Sequence, residues 1–227
     1  MAQHMFITHG VGSDLATIMH AAERTIRSRS HRRTGHDTPR LLIDATQFGL
    51  RVSVVSDLVG FEARVDGQFR EHSEPFAVVV EPETAHVITN AKARAALRSC
   101  DVAAFTFDDV CGVLDMACIH TVTGTGRGRG KIGLTKHLEV IGTSERAQVE
   151  ARRNDRDTVA AFAGDARGIK AERVIDPRGM SEALALLDPD EDARLSWTLL
   201  PRILVATQQL RYGSDLAVAH MPRTMTR

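Results

Sequence analysis

Four runs of strand-forming residues, LLIDAT, RVSVVSDLV, FEARVDGQF and FAVVVE, crowd the stretch from Leu41 to Glu81. The spaces between them hold little more than turns. Their alternation of apolar and polar positions has the period of a half-buried strand. The Asp66-Gly67 pair between apolar runs reads as a tight turn. An antiparallel meander over about 41–81 follows, and its apolar face must be covered by other elements. FAVVVE leads into Pro82, which suits the first turn of a helix running from about Glu83 to Ser99.

The rest of the chain offers the cover. HMFIT reads as a short strand. GVGS then leads into an amphipathic helix that buries Leu15, Ile18, Met19, Ala22 and Ile26, with Ser13 as its N-cap. DVAAFTF is a strand, after which Asp108 or Asp109 caps a helix through Val110, Val113, Leu114 and Ala117. LTKHLEVIG is a strand, and Ser144 caps a long helix whose middle, EARRNDRD, is polar all round; such a helix is well exposed or faces a partner. Asp188-Pro189-Asp190-Glu191 has the pattern of a helix start, followed by Leu195, Leu199, Ile203, Ala206 and Leu210 at helical spacing with a kink at Pro201. DLAVAHM adds a late strand. No internal repeat and no domain linker is visible. The expectation is an α/β or α+β fold in a single domain spanning 1–227, with a mixed sheet, the antiparallel meander, flanking helices and a C-terminal helical segment.

At 227 residues, 43% hydrophobic and 26% charged, the chain can bury a proper core. It has no apolar run of the roughly 18 residues that a membrane span needs. MAQHMFITHG lacks the features of a signal peptide, so the expected location is cytoplasmic, without a membrane partner. Three cysteines, Cys100, Cys111 and Cys118, do not make a disulfide framework.

Formal net charge is zero, but the charges are segregated. Six arginines (Arg24, Arg27, Arg29, Arg32, Arg33 and Arg40) face one acid, Asp37, between 24 and 40. The segment 121–138 carries Arg127, Arg129, Lys131 and Lys136 with no acid, while Asp101, Asp108, Asp109 and Asp115 lie together without a base. Arginine suits bidentate phosphate contacts. With aromatics at 4%, a stacking platform for single strands is a poor fit.

Two glycine-bearing segments are the candidate phosphate sites. In TGTGRGRGKIG (123–133), Gly126, Arg127, Gly128, Arg129 and Lys131 combine backbone freedom with positive charge. The segment fails the Walker A pattern at Thr125 and Ile132, and Gly128-x-Gly130-x-x-Gly133 lacks a following helix. It reads as a basic loop for phosphate or as a mobile connector. In Thr8-His9-Gly10-Val11-Gly12-Ser13, a strand-to-helix turn would aim helix N–H groups at an anion, with Gly10, Gly12 and Ser13 at its rim and His9 as acid, base or donor. FITHG resembles the opening strand of TIR-type domains over five residues, and no residue role is taken from it. Asp44 on a strand, with Asp108 and Asp109 after a later one, resembles the ribonuclease-H-like arrangement, which would imply carboxylates holding magnesium for phosphodiester attack. The candidate catalytic set is therefore Asp44, His9 and Asp108. The metal is left open, with magnesium the candidate ion. Cys111, Cys118 and His120 have no zinc spacing, and His36-Asp37 sits in a loop.

Two functions fit. One is a protein that binds the phosphates of a nucleotide or nucleic acid through basic glycine-rich loops, extending to a hydrolase acting on phosphodiesters or nucleotides. The other is a non-catalytic assembly or accessory protein, a homo-oligomer or partner of other subunits, in which the glycine-arginine loop and the polar helix make the contacts.

Overall fold

The computed structural model describes residues 3–27, 39–56, 59–122, 131–165, 177–197 and 204–220. Their order is β1 (Gln3–His9), α1 (Gly12–Arg27), β2 (Leu41–Thr46), β3 (Gly49–Val55), β4 (Val59–Val65), β5 (Gln68–Phe69), β6 (Phe76–Val80), α2 (Pro82–Thr89), α3 (Ala91–Ser99), β7 (Val102–Asp108), β8 (Val113–Val122) and β9 (Lys131–Thr143). Then come α4 (Arg146–Asp165), α5 (Pro177–Leu184), β10 (Ala193–Trp197), β11 (Leu204–Gln209) and β12 (Asp215–His220). The fold is α+β, and its 12 strands form one sheet in the order β10-β11-β12-β4-β3-β2-β6-β9-β8-β7-β1-β5. Every registered pair is antiparallel, so the expected mixed sheet is antiparallel throughout.

The first 143 residues contain a repeat that the sequence does not display. β1-α1-β2-β3-β4 and β6-α2/α3-β7-β8-β9 have the same order of elements. The first strand of each unit pairs with the second strand of the other, β1 with β7 and β6 with β2. The last strand of each unit runs on to touch that unit's own first strand, β5 against β1 and the end of β9 against β6. The strands therefore close a circuit through the Asp66-Gly67 corner. That pair is a bend carrying one strand from the β3 edge to the β1 edge, not the hairpin turn expected from its sequence. The corner needs glycine because a Cβ at 67 would lie 2.5 Å from the Ile7 carbonyl oxygen and from the Phe6 ring.

One core serves the whole circuit. Phe6, Ile43, Val52, Phe61, Val78, Phe105 and Met116 present one face of their strands to Leu15, Ile18, Met19, Ile88 and Leu97 of α1, α2 and α3. The helical stripe of α1 is that read from the sequence, but β2 is buried at every position from Leu41 to Ala45 instead of alternating, because its second face is covered too. Gly12 is what lets α1 meet α3: a Cβ there would stand 2.1 Å from the Leu97 carbonyl oxygen. Ser13 lies inside α1, which starts at Gly12, instead of capping it. The single helix expected at 83–99 is broken at Asn90, whose side chain accepts from the Lys92 and Ala93 N–H groups and caps α3.

Two expected helices are strands. Residues 113–122 form β8, because Leu114, Met116 and Cys118 are buried in alternation while Val110 is exposed. Gly112, at φ +64°, turns the chain into this hairpin. The segment expected as the final helix contains β10 and β11, paired with each other and, through β12, with β4. Pro201 falls in 198–203, between those strands and outside the described residues. Helical character near the C-terminus resides in α4 and α5 instead. α4 covers the opposite face of the sheet from α1, with Val149 against Leu42 and Val79 and Val159 against Val205 and Ala219.

Candidate functional site

Asp44 lies on the β2 face beneath α4 and is buried, its side chain 2% exposed. Arg153 donates to both of its oxygens, Nη2 to Oδ1 at 2.8 Å and Nε to Oδ2 at 3.0 Å; Arg156 Nη1 donates to Oδ2 at 2.5 Å. Burial alone would raise the Asp44 pKa, but these arginine hydrogen bonds outweigh it and hold the carboxyl below the usual carboxylate range. Its two oxygens are thus committed to guanidinium groups. The polar helix read from EARRNDRD turns two of its arginines inward, onto one strand carboxylate.

His9 and Asp108 stand at opposite ends of the β1–β7 ladder, where Gln3 pairs with Asp108 and His9 with Val102. Six residues at about 3.4 Å each separate the two by about 20 Å. Asp108 Oδ1 accepts from the Val110 and Cys111 N–H groups at 3.0 and 3.1 Å, which organises the β7–β8 turn. Asp44, His9 and Asp108 are not brought together. Among the described residues no group of three or more His, Cys, Asp or Glu side chains is arranged to hold a metal ion.

The N-terminal turn is partly committed as well. Gly10, at φ +70°, donates its N–H to the Asp101 carbonyl at 2.9 Å. The carboxylate of Asp14, buried in the first turn of α1, accepts from the backbone N–H groups of Tyr212 and Ser214 at 3.1–3.2 Å and ties the β11–β12 turn to the helix. Gly126, Arg127, Gly128 and Arg129 lie outside the described residues, as do the arginines of 28–38. Lys131 opens β9, opposite Val122. The row His9–Val102–Ile119 fixes which end of the sheet this is. The Thr121–Ile132 and Val122–Lys131 pairs then carry the β8–β9 hairpin beyond it. Gly10 and the last described pair of the β8–β9 ladder, Val122 and Lys131, therefore lie at one end of the sheet.

What the sequence reading missed is the outer surface of the helix pair. α1 brings His20, Arg24 and Arg27 to it, and α3 brings Lys92, Arg94 and Arg98; Arg24, Arg27, Lys92 and Arg98 are exposed. Against them stands Glu23, bonded to Arg94 and paired with Arg27 at 3.0 Å. The other acid of α1, Asp14, is buried, and α3 has none. His20 sits where these charges converge. Burial lowers its pKa first, and Arg94, Arg24 and Arg98 lower it further, with Glu23 opposing them. The signal was present: AKARAALRS holds three bases and no acid.

Two clefts complete the surface. One, of about 810 Å³, lies over β4, β12, β11 and β10 and is lined by Glu62, Arg64, Arg194, Gln209 and Asp215. Glu62 there is pushed up chiefly by burial. The other, of about 420 Å³, lies beside α1 between His20, Arg24, Arg27, Glu182 and Leu186. Cys100 and Cys118 are buried, and Cys111 is exposed. No helix among the described residues is long and apolar enough to cross a membrane.

The geometry is thus that of an antiparallel α+β protein with a basic helix layer and its strand carboxylate engaged by arginines. No family model and no curated protein matches the chain. Solved structures give distant likenesses. The DNA polymerase III subunit beta from Borrelia burgdorferi is 10% identical with a TM-score of 0.48, over 96% of this chain and 64% of its own. The beta subunit from DNA polymerase of Streptococcus pyogenes is 8% identical, TM-score 0.49, over 98% and 66%. The DNA polymerase sliding clamp from Bacillus subtilis is 8% identical, TM-score 0.48, over 96% and 64%. The chain spans less than two thirds of the length of each.

Proposed function

We propose that the protein is a non-catalytic accessory protein that lays its α1–α3 surface on the phosphate backbone of a nucleic acid. The observation that carries this reading is the convergence of Arg24, Arg27, Lys92, Arg94 and Arg98 from two helices, against Glu23 from α1 and Glu182, which shares the cleft with Arg24 and Arg27. Those charges belong to this chain, and the reading does not lean on the 8–10% identical structures. Cations without aromatic neighbours suit backbone neutralisation, whereas single-strand binding calls for stacking platforms. A duplex is accordingly the favoured ligand. The engagement of Asp44 by Arg153 and Arg156 supports the accessory role over the phosphodiester hydrolase. Of the phosphate loops read from the sequence, 123–130 stays a second contact in this proposal. The outer strand β10 offers an edge for a second copy or another subunit.

Fluorescence anisotropy with a duplex DNA tests it. Affinity is expected to fall with salt at a slope of about 0.9 per neutralised phosphate, and the triple variant Arg24→Ala, Lys92→Ala, Arg98→Ala to lower that slope by roughly two to three. Absence of salt-dependent binding, or a triple variant that binds like the parent, overturns the reading.

A further inference from the structure

α4 shows what the outer face of one half of the sheet receives. It lies over β2, β3, β4 and β6, and its inward stripe is Val149, Arg153, Arg156 and Val159. The valines meet Leu42, Val79, Val205 and Ala219, and the arginines meet Asp44. The other half, β1-β7-β8-β9, turns Phe6, Phe105, Leu114, Met116 and Val140 into the core. Their strand neighbours Met5, Ile7, Ala104, Val113, Ala117 and Ile141 therefore point outward. None of these six belongs to a core cluster, and Ile141 is 68% exposed. Among the described residues no helix covers this face as α4 covers its counterpart.

The internal repeat puts the two faces in register. Thr46–Gly49 closes the β2–β3 hairpin and Asp108–Val113 closes the β7–β8 hairpin. Two residues back from each closure, the row Asp44–Arg51–Arg64 corresponds to Thr106–Asp115–Glu139. The first row holds one acid, met by the arginines of α4. The second holds two acids and no base. From the row Asp108–Val113–Ile141 to the row His9–Val102–Ile119–Thr135, the outward positions carry Asp108, Asp115 and Glu139 and neither lysine nor arginine. His137 is bonded to Asp115 at 2.7 Å, while Glu139 is exposed.

We propose that this acidic and apolar sheet face docks a basic amphipathic helix of a partner protein, seated as α4 is seated on the other half. Its apolar side chains cover Ile7, Ala104, Ala117 and Ile141, and an arginine or lysine meets Glu139. Charge complementarity selects this occupant: a face with three carboxylates and no strong base repels acidic segments and phosphates alike. The α1–α3 surface of a second copy matches the charge but exposes no large apolar side chain. The inference goes beyond the nucleic-acid reading and does not depend on it. α1 and α3 pack on the inner side of this half-sheet, so the helix and a duplex occupy opposite sides.

The probe is a labelled synthetic peptide of α4's 20-residue length that repeats its inward spacing of valine and arginine, with alanine and glutamine elsewhere. A counterpart carries glutamate at each arginine. Anisotropy is expected to show saturable binding of the arginine peptide to the full chain, about tenfold or more tighter than the glutamate peptide. Hydrogen exchange in 113–119 and 135–141 should slow when the arginine peptide is bound. The double variant Glu139→Lys, Ile141→Lys changes two exposed side chains, so it should melt near wild type and bind the arginine peptide about tenfold more weakly. Equal binding of the two peptides, or no saturable binding of the arginine peptide, overturns the proposal on the wild-type protein alone, whatever the variant does. Full-strength binding by the double variant overturns it as well. So does a light-scattering dimer that the double variant returns to monomer, since a second copy is then the occupant. Each of these results leaves duplex binding, measured separately, untouched.

Discussion

Replacing Asp44 by asparagine removes the charge that two arginines of α4 share. Arg156 is the costlier orphan: its side chain is 6% exposed, although Asp157 keeps its Nε and Nη2 engaged at 3.0 and 2.8 Å, whereas Arg153 is 33% exposed and can turn to water. Breaking one partner from a buried ion pair costs about 3–5 kcal/mol when the remaining charge is left uncompensated; with Asp157 still paired to Arg156, the lower end of about 3 kcal/mol is expected. For a chain of this size each kcal/mol moves Tm by roughly 2–4 °C, so Asp44→Asn should melt about 6–12 °C lower. Arg153→Ala should lose well under half of that. Combining Asp44→Leu with Arg156→Met should recover most of the loss, since a well-packed apolar pair can replace a buried ion pair at little cost. The Asp44 pKa is lowered in the folded state, so its contribution is present above the unfolded value near 3.9 and is lost as pH falls through the folded one. The gap between wild type and Asp44→Asn should therefore close below about pH 4. Differential scanning calorimetry across pH measures all of this. An Asp44→Asn protein that melts within a degree of wild type at pH 7 would refute the reasoning. So would a magnesium-dependent rise in Tm that vanishes with Asp44, since that would mean the carboxylate is open to a metal.

Asp14→Ala should free the β11–β12 turn, costing about 1–3 kcal/mol for the amides of Tyr212 and Ser214 left without an acceptor; hydrogen exchange should quicken in 204–220 before it does in β7. Gly67→Ala should destabilise by about 1–3 kcal/mol through overpacking at the β4–β5 corner, read as a lower denaturant midpoint. A thiol reagent should label Cys111 promptly in the native protein and reach Cys100 and Cys118 only on unfolding, as counted by intact mass.

Local chemistry made the inner half of the fold legible. The strand-forming runs of 41–81 and the stripe on α1 are properties of contiguous residues, and both elements appear in the structure, although β2 is buried on both faces. The failures came where distant pairing decides. Val110, Val113, Leu114 and Ala117 fit a helical face, yet the registers of β7 and β9 make Leu114, Met116 and Cys118 the buried set. Near the C-terminus, Gln208 holds 188–191 through the Asp188 and Glu191 carbonyls and the Asp188 N–H, a cross-connection no helical wheel displays. The site followed the same rule. Asp44 looked like a metal ligand because its partners are 109 and 112 residues away. Arg24 and Arg27 read as part of a basic block running to Arg40, while Lys92, Arg94 and Arg98 went unnoticed because each helix supplies only part of the surface.

The strand circuit has a consequence for how copies can join. A closed run of strands has no end at which to add another, and β5, with two residues, is too short to template a partner. Among the described residues that leaves β10 as the outer strand of useful length. Two copies that met edge to edge through β10 would use up that edge on both, so this contact by itself ends at a pair.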